Sequence, residues 1–232
     1  FLSFAWGLLS TTSFFGKRLA RPSITLMHQF FSTTGLLLLA AHMALLFVDP
    51  WMPFDLGELV DRCLDVIAKR DKTVQAFVTL NIDAARKAAD DSTARYKAGK
   101  PLSIVDGCPV AVKDIIATSD MPTQMNSPVF KGWSSGQDAA CVQAMRKGGA
   151  LILGKTVTTE FAIGYSGPTV NPHDPRRTPG GSSSGTAAAV GAGMAPVGFG
   201  TQTQGSTLRP ASYCGAVGFK GTLGALPLGG VH

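Results

Sequence analysis

Residues 179–207 read PGGSSSGTAAAVGAGMAPVGFGTQTQGST, and the organisation of the chain turns on how this stretch is taken. Two glycine- and serine-rich turns, 180–185 and 200–206, flank a run of small residues and a short apolar segment. Three serines between glycines have the composition of a flexible linker. The first turn is only six residues long, however, and it leads straight into an alanine-rich run. That run reads as a helix over 186–194, followed by a strand over 195–200. A linker has little reason to enter a helix that must be packed, so both turns are read as tightly folded backbone between buried elements. Gly-rich turns at a helix start can also hold phosphate. No G-K-[ST] follows Gly185, and Gly198 and Gly200 lack the third glycine of a dinucleotide fingerprint. The G-x-S-x-G elbow is absent around Ser206, which leaves a Ser-His-Asp triad without support.

Working outward, apolar residues at 56, 59, 60, 63, 64 and 67 have the spacing of an amphipathic helix over 55–70. Residues 74–80 are β-prone, and 83–97 is alanine-rich with charges on one face, hence helical. Val110–Val112 is a brief apolar strand that delivers Lys113. Residues 138–147 read as a helix started by Asp138 and ended by Gly148 and Gly149, with a buried strand over 150–153 after it. Helices alternating with short buried strands predict an α/β fold, a mixed β-sheet core sandwiched by helices.

The 232 residues are 45% hydrophobic and 16% charged, which suits a sizeable core and excludes a disordered chain. The formal net charge is +6, of which residues 1–52 carry +2. No basic stripe interleaved with aromatics is present, so no nucleic-acid partner is expected. Cys63, Cys108, Cys141 and Cys214 are widely and irregularly spaced, as are the four histidines. Neither a disulfide framework nor a metal site can be assembled from them, and reduced buried thiols in a cytoplasmic setting are expected. No cofactor is implied. Composition changes sharply near Pro50–Pro53, and residues 1–52 form a hydrophobic N-terminal segment ahead of a domain over 53–232. Residues 30–48 carry no charge and follow Lys17, Arg18 and Arg21. They read as a candidate membrane anchor, as a buried or peripheral helix, or as sequence foreign to the enzyme.

Four segments then point the same way. The run 179–222, PGGSSSGTAAAVGAGMAPVGFGTQTQGSTLRPASYCGAVGFKGT, resembles the signature of the amidase signature family. GCPVAVKDIIATSDMPTQMNSP, residues 107–128, is similar to that family's catalytic-lysine segment, and GKTVTTEFA and NPHDP to its connecting segments. The resemblance implies a serine amidase that cleaves a small-molecule carboxamide. It places the nucleophile at Ser206, the bridging serine at Ser182, after a cis peptide bond from Gly181, and the basic residue at Lys113. It also implies an oxyanion hole from backbone N–H groups of Thr203, Gln204 and Gly205, with Gly181 and Ser183 in support. A lysine serves as a base only when neutral, so Lys113 has to be desolvated. Without the resemblance, a salt bridge to Asp114 is the simpler fate of Lys113. Three departures stand out. Gln202 replaces a charged aspartate, Gln204 replaces a glycine and would be strained if the loop needed a positive φ, and Arg209 sits one place later than in many members. The family domain also continues well past residue 232, so two alternatives stand: the amidase component of an amidotransferase, and an inactive truncated fragment.

Overall fold

The structure, a computed structural model, describes residues 55–232. The hydrophobic segment 1–52 and the candidate anchor at 30–48 lie outside the described residues. Among the described residues no helix is long and apolar enough to cross a membrane. Elements are numbered within that range.

Helix α1 spans Leu56–Val74 and buries Leu56, Val60, Cys63, Ile67 and Val74, a stripe at helical spacing. The Asp55 carboxylate caps it by accepting the Gly57 N–H at 2.8 Å. Its last turn takes in Val74, which the sequence placed in the following strand, because that side chain completes the buried stripe. Gln75 ends the helix in the left-handed region. The Asp71 carboxylate accepts Ala76 N at 2.6 Å and Phe77 N at 3.3 Å, which steers the chain into β1, Phe77–Leu80. Helix α2, Ile82–Lys97, packs on α1.

Strands β2, Pro109–Lys113, β3, Leu151–Thr156, and β4, Val197–Phe199, complete a four-stranded sheet in the order β1-β3-β2-β4. β1 runs antiparallel to β3, whereas β2 is parallel to both β3 and β4. The sheet is therefore mixed, as expected. β2 and β3 are buried along their whole length, and their near-continuous apolar runs suit parallel strands covered on both faces.

Helix α3, Ala140–Lys147, precedes β3. Asp138 does not cap it, contrary to the sequence reading: the N-cap is Ala139 and makes no side-chain bond. The Asp138 carboxylate instead accepts Ser119 N at 2.8 Å and pairs with Arg146 at 3.1 Å, tying the helix to the loop after β2.

Helix α4, Ser184–Gly191, starts and stops earlier than expected. It touches all four strands and the short helix α5, Leu208–Tyr213. Its residues are small because there is room for nothing larger. A Cβ on Gly185 would lie 2.3 Å from Ala76 O, and one on Gly191 would lie 2.0 Å from Cys214 O. Both neighbours are backbone, which cannot rotate away. Gly191→Ala is accordingly expected to destabilise the fold by about 1–3 kcal/mol. Urea unfolding followed by circular dichroism measures this, and an unchanged midpoint would refute the packing account.

Candidate active site

Strand alternation decides where the two lysines of the sheet go. In the parallel pairing of β2 and β3, Val112 lies beside Lys155 and Lys113 beside Thr156. Lys113 and Thr156 thus share one face, and the bond between the Thr156 and Thr186 hydroxyls at 2.6 Å shows that α4 covers it. Lys155 takes the other face. Its ammonium lies 3.2 Å from the Asp114 carboxylate and donates to Thr123 Oγ1 at 2.7 Å and Pro122 O at 3.2 Å. Asp114 is therefore bound to Lys155, and the simple salt bridge Lys113–Asp114 does not form.

Lys113 is left with neutral partners. Its Nζ donates to Ser182 Oγ at 2.8 Å and Thr201 Oγ1 at 2.7 Å, and the residue is fully buried. Burial without a carboxylate pushes its pKa down to about 7, since the charged form loses its water and gains no counter-ion. Burial lowers the Lys155 pKa as well, but there the Asp114 charge pulls it back up.

Ser182 comes from the turn ahead of α4, where Gly180 has φ +77° and the Gly181–Ser182 peptide is cis. The Ser182 carbonyl accepts Thr159 N at 3.0 Å. Ser183 makes three bonds to the second turn. Its N–H donates to Ser206 O at 3.0 Å, and its hydroxyl meets Thr201 N and O, each at 3.2 Å. The two Gly/Ser-rich turns are thereby stitched together, although 24 positions separate their serines in sequence.

Ser206 is half-buried, and no described residue takes its hydroxyl. The N–H groups of Thr203, Gln204, Gly205 and Ser206 likewise find no acceptor among the described residues. Such a row of unspent backbone donors beside a free hydroxyl can receive a developing oxyanion. Gln204 lies outside the left-handed region, so the strain considered for it does not arise. Gln202 Oε1 accepts the N–H groups of Thr207 and Leu208, each at 2.9 Å, at the start of α5. The Arg209 guanidinium donates to Gly181 O.

Sequence reasoning missed Thr201. Its place beside Lys113 depends on β4 pairing with β2, which a linear reading does not contain. Of the cysteines, Cys63, Cys108 and Cys214 are buried and unpaired, and burial pushes their thiols up to about 11, 11 and 12.

The folded-state pKa of Lys113 lies below its ordinary value of 10.5. Between about 7 and 10.5 the unfolded chain therefore binds more protons, and stability rises with pH across that window. The penalty is complete below pH 7. Lys113→Met should then raise stability by a few kcal/mol at pH 6, with the gain fading towards pH 10. Denaturation of both proteins at the two pH values tests this, and a gain independent of pH would rule out a desolvated lysine.

The sequence profile of the family described as Amidase matches residues 58–232. Curated relatives include a component of the glutamyl-tRNA(Gln) amidotransferase of Thermobifida fusca (strain YX), 45% identical over 173 residues. That match covers 72% of this chain and 35% of the relative, so the chain spans about a third of the relative's length. Among solved structures, the native peptide amidase from Stenotrophomonas maltophilia superposes with a TM-score of 0.72 at 35% identity, covering 77% of this chain and 39% of that one. The glutamyl-tRNA(Gln) amidotransferase component from Thermotoga maritima gives 0.65 at 35% identity, with coverages of 76% and 37%. Profile, identity and superposition agree over the part of the chain that carries the two stitched turns: the chain belongs to the amidase family.

Proposed function

We propose that the chain hydrolyses the C–N bond of a linear carboxamide through an acyl-enzyme on Ser206, with Ser182 as the bridge and Lys113 as the base. The observation that carries this reading is the contact of Lys113 Nζ with Ser182 Oγ at 2.8 Å, made by a lysine whose burial brings its pKa to about 7. An amine with that pKa is largely neutral just above neutral pH and can accept a proton.

The neutral amine of Lys113 takes the Ser182 proton as Ser182 takes that of Ser206. The Ser206 oxygen then attacks the amide carbonyl. Negative charge on the tetrahedral oxygen falls to the free N–H groups of Thr203–Ser206, where loss of a single such donor typically costs about 10²–10³ in rate. The C–N bond breaks, the leaving nitrogen takes the proton back through Ser182, and the acyl group stays on Ser206. Water repeats the sequence, giving the carboxylic acid and the free serine. Thr201 holds the lysine on line throughout, by its bond to Nζ.

The amidotransferase relatives favour a second reading, in which this chain releases ammonia for a partner protein. The two readings differ in dependence on that partner: a free-standing amidase releases amine or ammonia alone.

Ser206→Ala should abolish hydrolysis of a small amide and labelling by a fluorophosphonate, with the fold intact. The wild-type kcat/KM should rise with pH through about 7 and level off above it, as Lys113 loses its proton. Undiminished turnover in the Ser206 variant would sink the assignment.

A further inference from the structure

Arg209 joins the carbonyls that precede both serines. Its backbone N–H donates to Gly205 O at 2.9 Å, one residue before Ser206. Its guanidinium donates through Nε at 3.2 Å and Nη2 at 2.9 Å to Gly181 O, one residue before Ser182. We propose that Arg209 is a positioning residue, a clamp that fixes Ser182 relative to Ser206. This rests on the serine-relay reading above.

Three observations carry it. First, the other bonds between the two turns hold Ser183 and the residues after Ser182: Ser183 N to Ser206 O, and the Ser183 hydroxyl to Thr201. The residue before Ser182 has only Arg209, since no other donor reaches Gly181 O among the described residues. Second, the arginine makes no ion pair with any described carboxylate, although the side chain is exposed. A guanidinium in water that spends two N–H groups on one backbone oxygen is fixed in direction, because the planar fork allows few alternatives. Third, one residue supplies both attachments, through groups separated only by its own side chain. Moving either turn therefore strains the same arginine.

The spacing matters because proton transfer between hydroxyls needs oxygens within about 2.6–3.2 Å, and the Ser182 and Ser206 hydroxyls, which are not hydrogen-bonded to each other here, have to reach that distance in the reaction. A displacement of about 1 Å in such a site can cost 10²-fold in rate. Ser182 is attached to the Gly181 carbonyl through one peptide unit, so releasing that carbonyl leaves the bridge held by Lys113 Nζ and Thr159 N alone and loosens it on the side of the Ser206 turn. The clamp thus acts on the relay geometry, so its loss is read in kcat more than in KM.

The experiment compares wild type, Arg209→Met and Arg209→Lys in amide hydrolysis, with Ser206→Ala as the zero. Removal of the fork should lower kcat about 10- to 100-fold while KM stays within about threefold. Arg209→Lys should recover part of the loss, and added methylguanidinium should partly rescue an Arg209→Ala variant. Thermal unfolding of each variant runs in parallel. Unchanged kcat in Arg209→Met overturns the clamp, and so does a loss of activity that merely tracks the unfolded fraction. A wild-type chain without turnover sinks the relay reading instead. The backbone amide spectrum then decides on the clamp: shifts at both Ser182 and Ser206 in Arg209→Met sustain it, and shifts confined to the neighbours of residue 209 overturn it.

Discussion

A lysine buried without a counter-charge is the constraint around which this structure is arranged. Removing an ammonium from water is expensive, and the sheet meets that demand in two different ways on its two faces. On one face Lys155 is given Asp114, Thr123 and a backbone carbonyl, and remains an ion-paired structural element. On the other Lys113 is given only the hydroxyls of Ser182 and Thr201. Hydroxyls can satisfy a neutral amine as well as a charged one, so this second environment tolerates the loss of a proton. Keeping water away from it requires a lid of small residues at close range. α4 supplies that lid, with Gly185 set against the backbone of Ala76 and Val157 at the strand ends and Gly191 against that of Cys214.

The site is held together mainly by backbone groups. Ser182 O, Ser183 N, Ser206 O, Thr201 N and Gly181 O all have named partners across turns or from neighbouring loops. What these bonds leave unspent is the row of N–H groups at 203–206 and the hydroxyl of Ser206. Thr203 and Gln204 are exposed and Gly205 and Ser206 half-buried, so these N–H groups are left to solvent and open to an incoming acceptor. Gln202 contributes by ending that row: its Oε1 absorbs the next two N–H groups, so the free donors stop at the serine. A neutral amide does this without adding a negative charge that would raise the lysine's pKa.

Much of this was legible in the sequence, for identifiable reasons. The mixed α/β layering follows from short apolar runs alternating with amphipathic ones, and the sheet has that form. A resemblance carried by long motifs in order pointed to Lys113, Ser182 and Ser206, and the structure puts Lys113 in hydrogen-bond contact with Ser182 and ties Ser183 to the Ser206 turn. The misreadings come from tertiary competition. Asp138 has the chemistry of a helix cap, but Ser119 and Arg146 offered its carboxylate better partners. Val74 has β propensity, yet it lies on the buried face of α1. Asp114 is the neighbour of Lys113 in sequence, but strand alternation sends the cation of Lys113 to the face where no carboxylate waits. Thr201 and the grip of Arg209 on Gly181 depend on which strands lie side by side, and a linear reading does not contain that.

The alternation of β2 carries one more consequence. Lys113 closes the strand and Asp114 follows it, with opposite charges directed to opposite sides of the sheet. A pairing error of a single residue between β2 and β3 would exchange the faces. It would drive a carboxylate into the pocket of hydroxyls and strand Lys155 without its partner, leaving two uncompensated charges in the interior. The ion pair on the far face therefore penalises a misregistered sheet. In this molecule the register of the sheet and the environment of Lys113 depend on the same alternation.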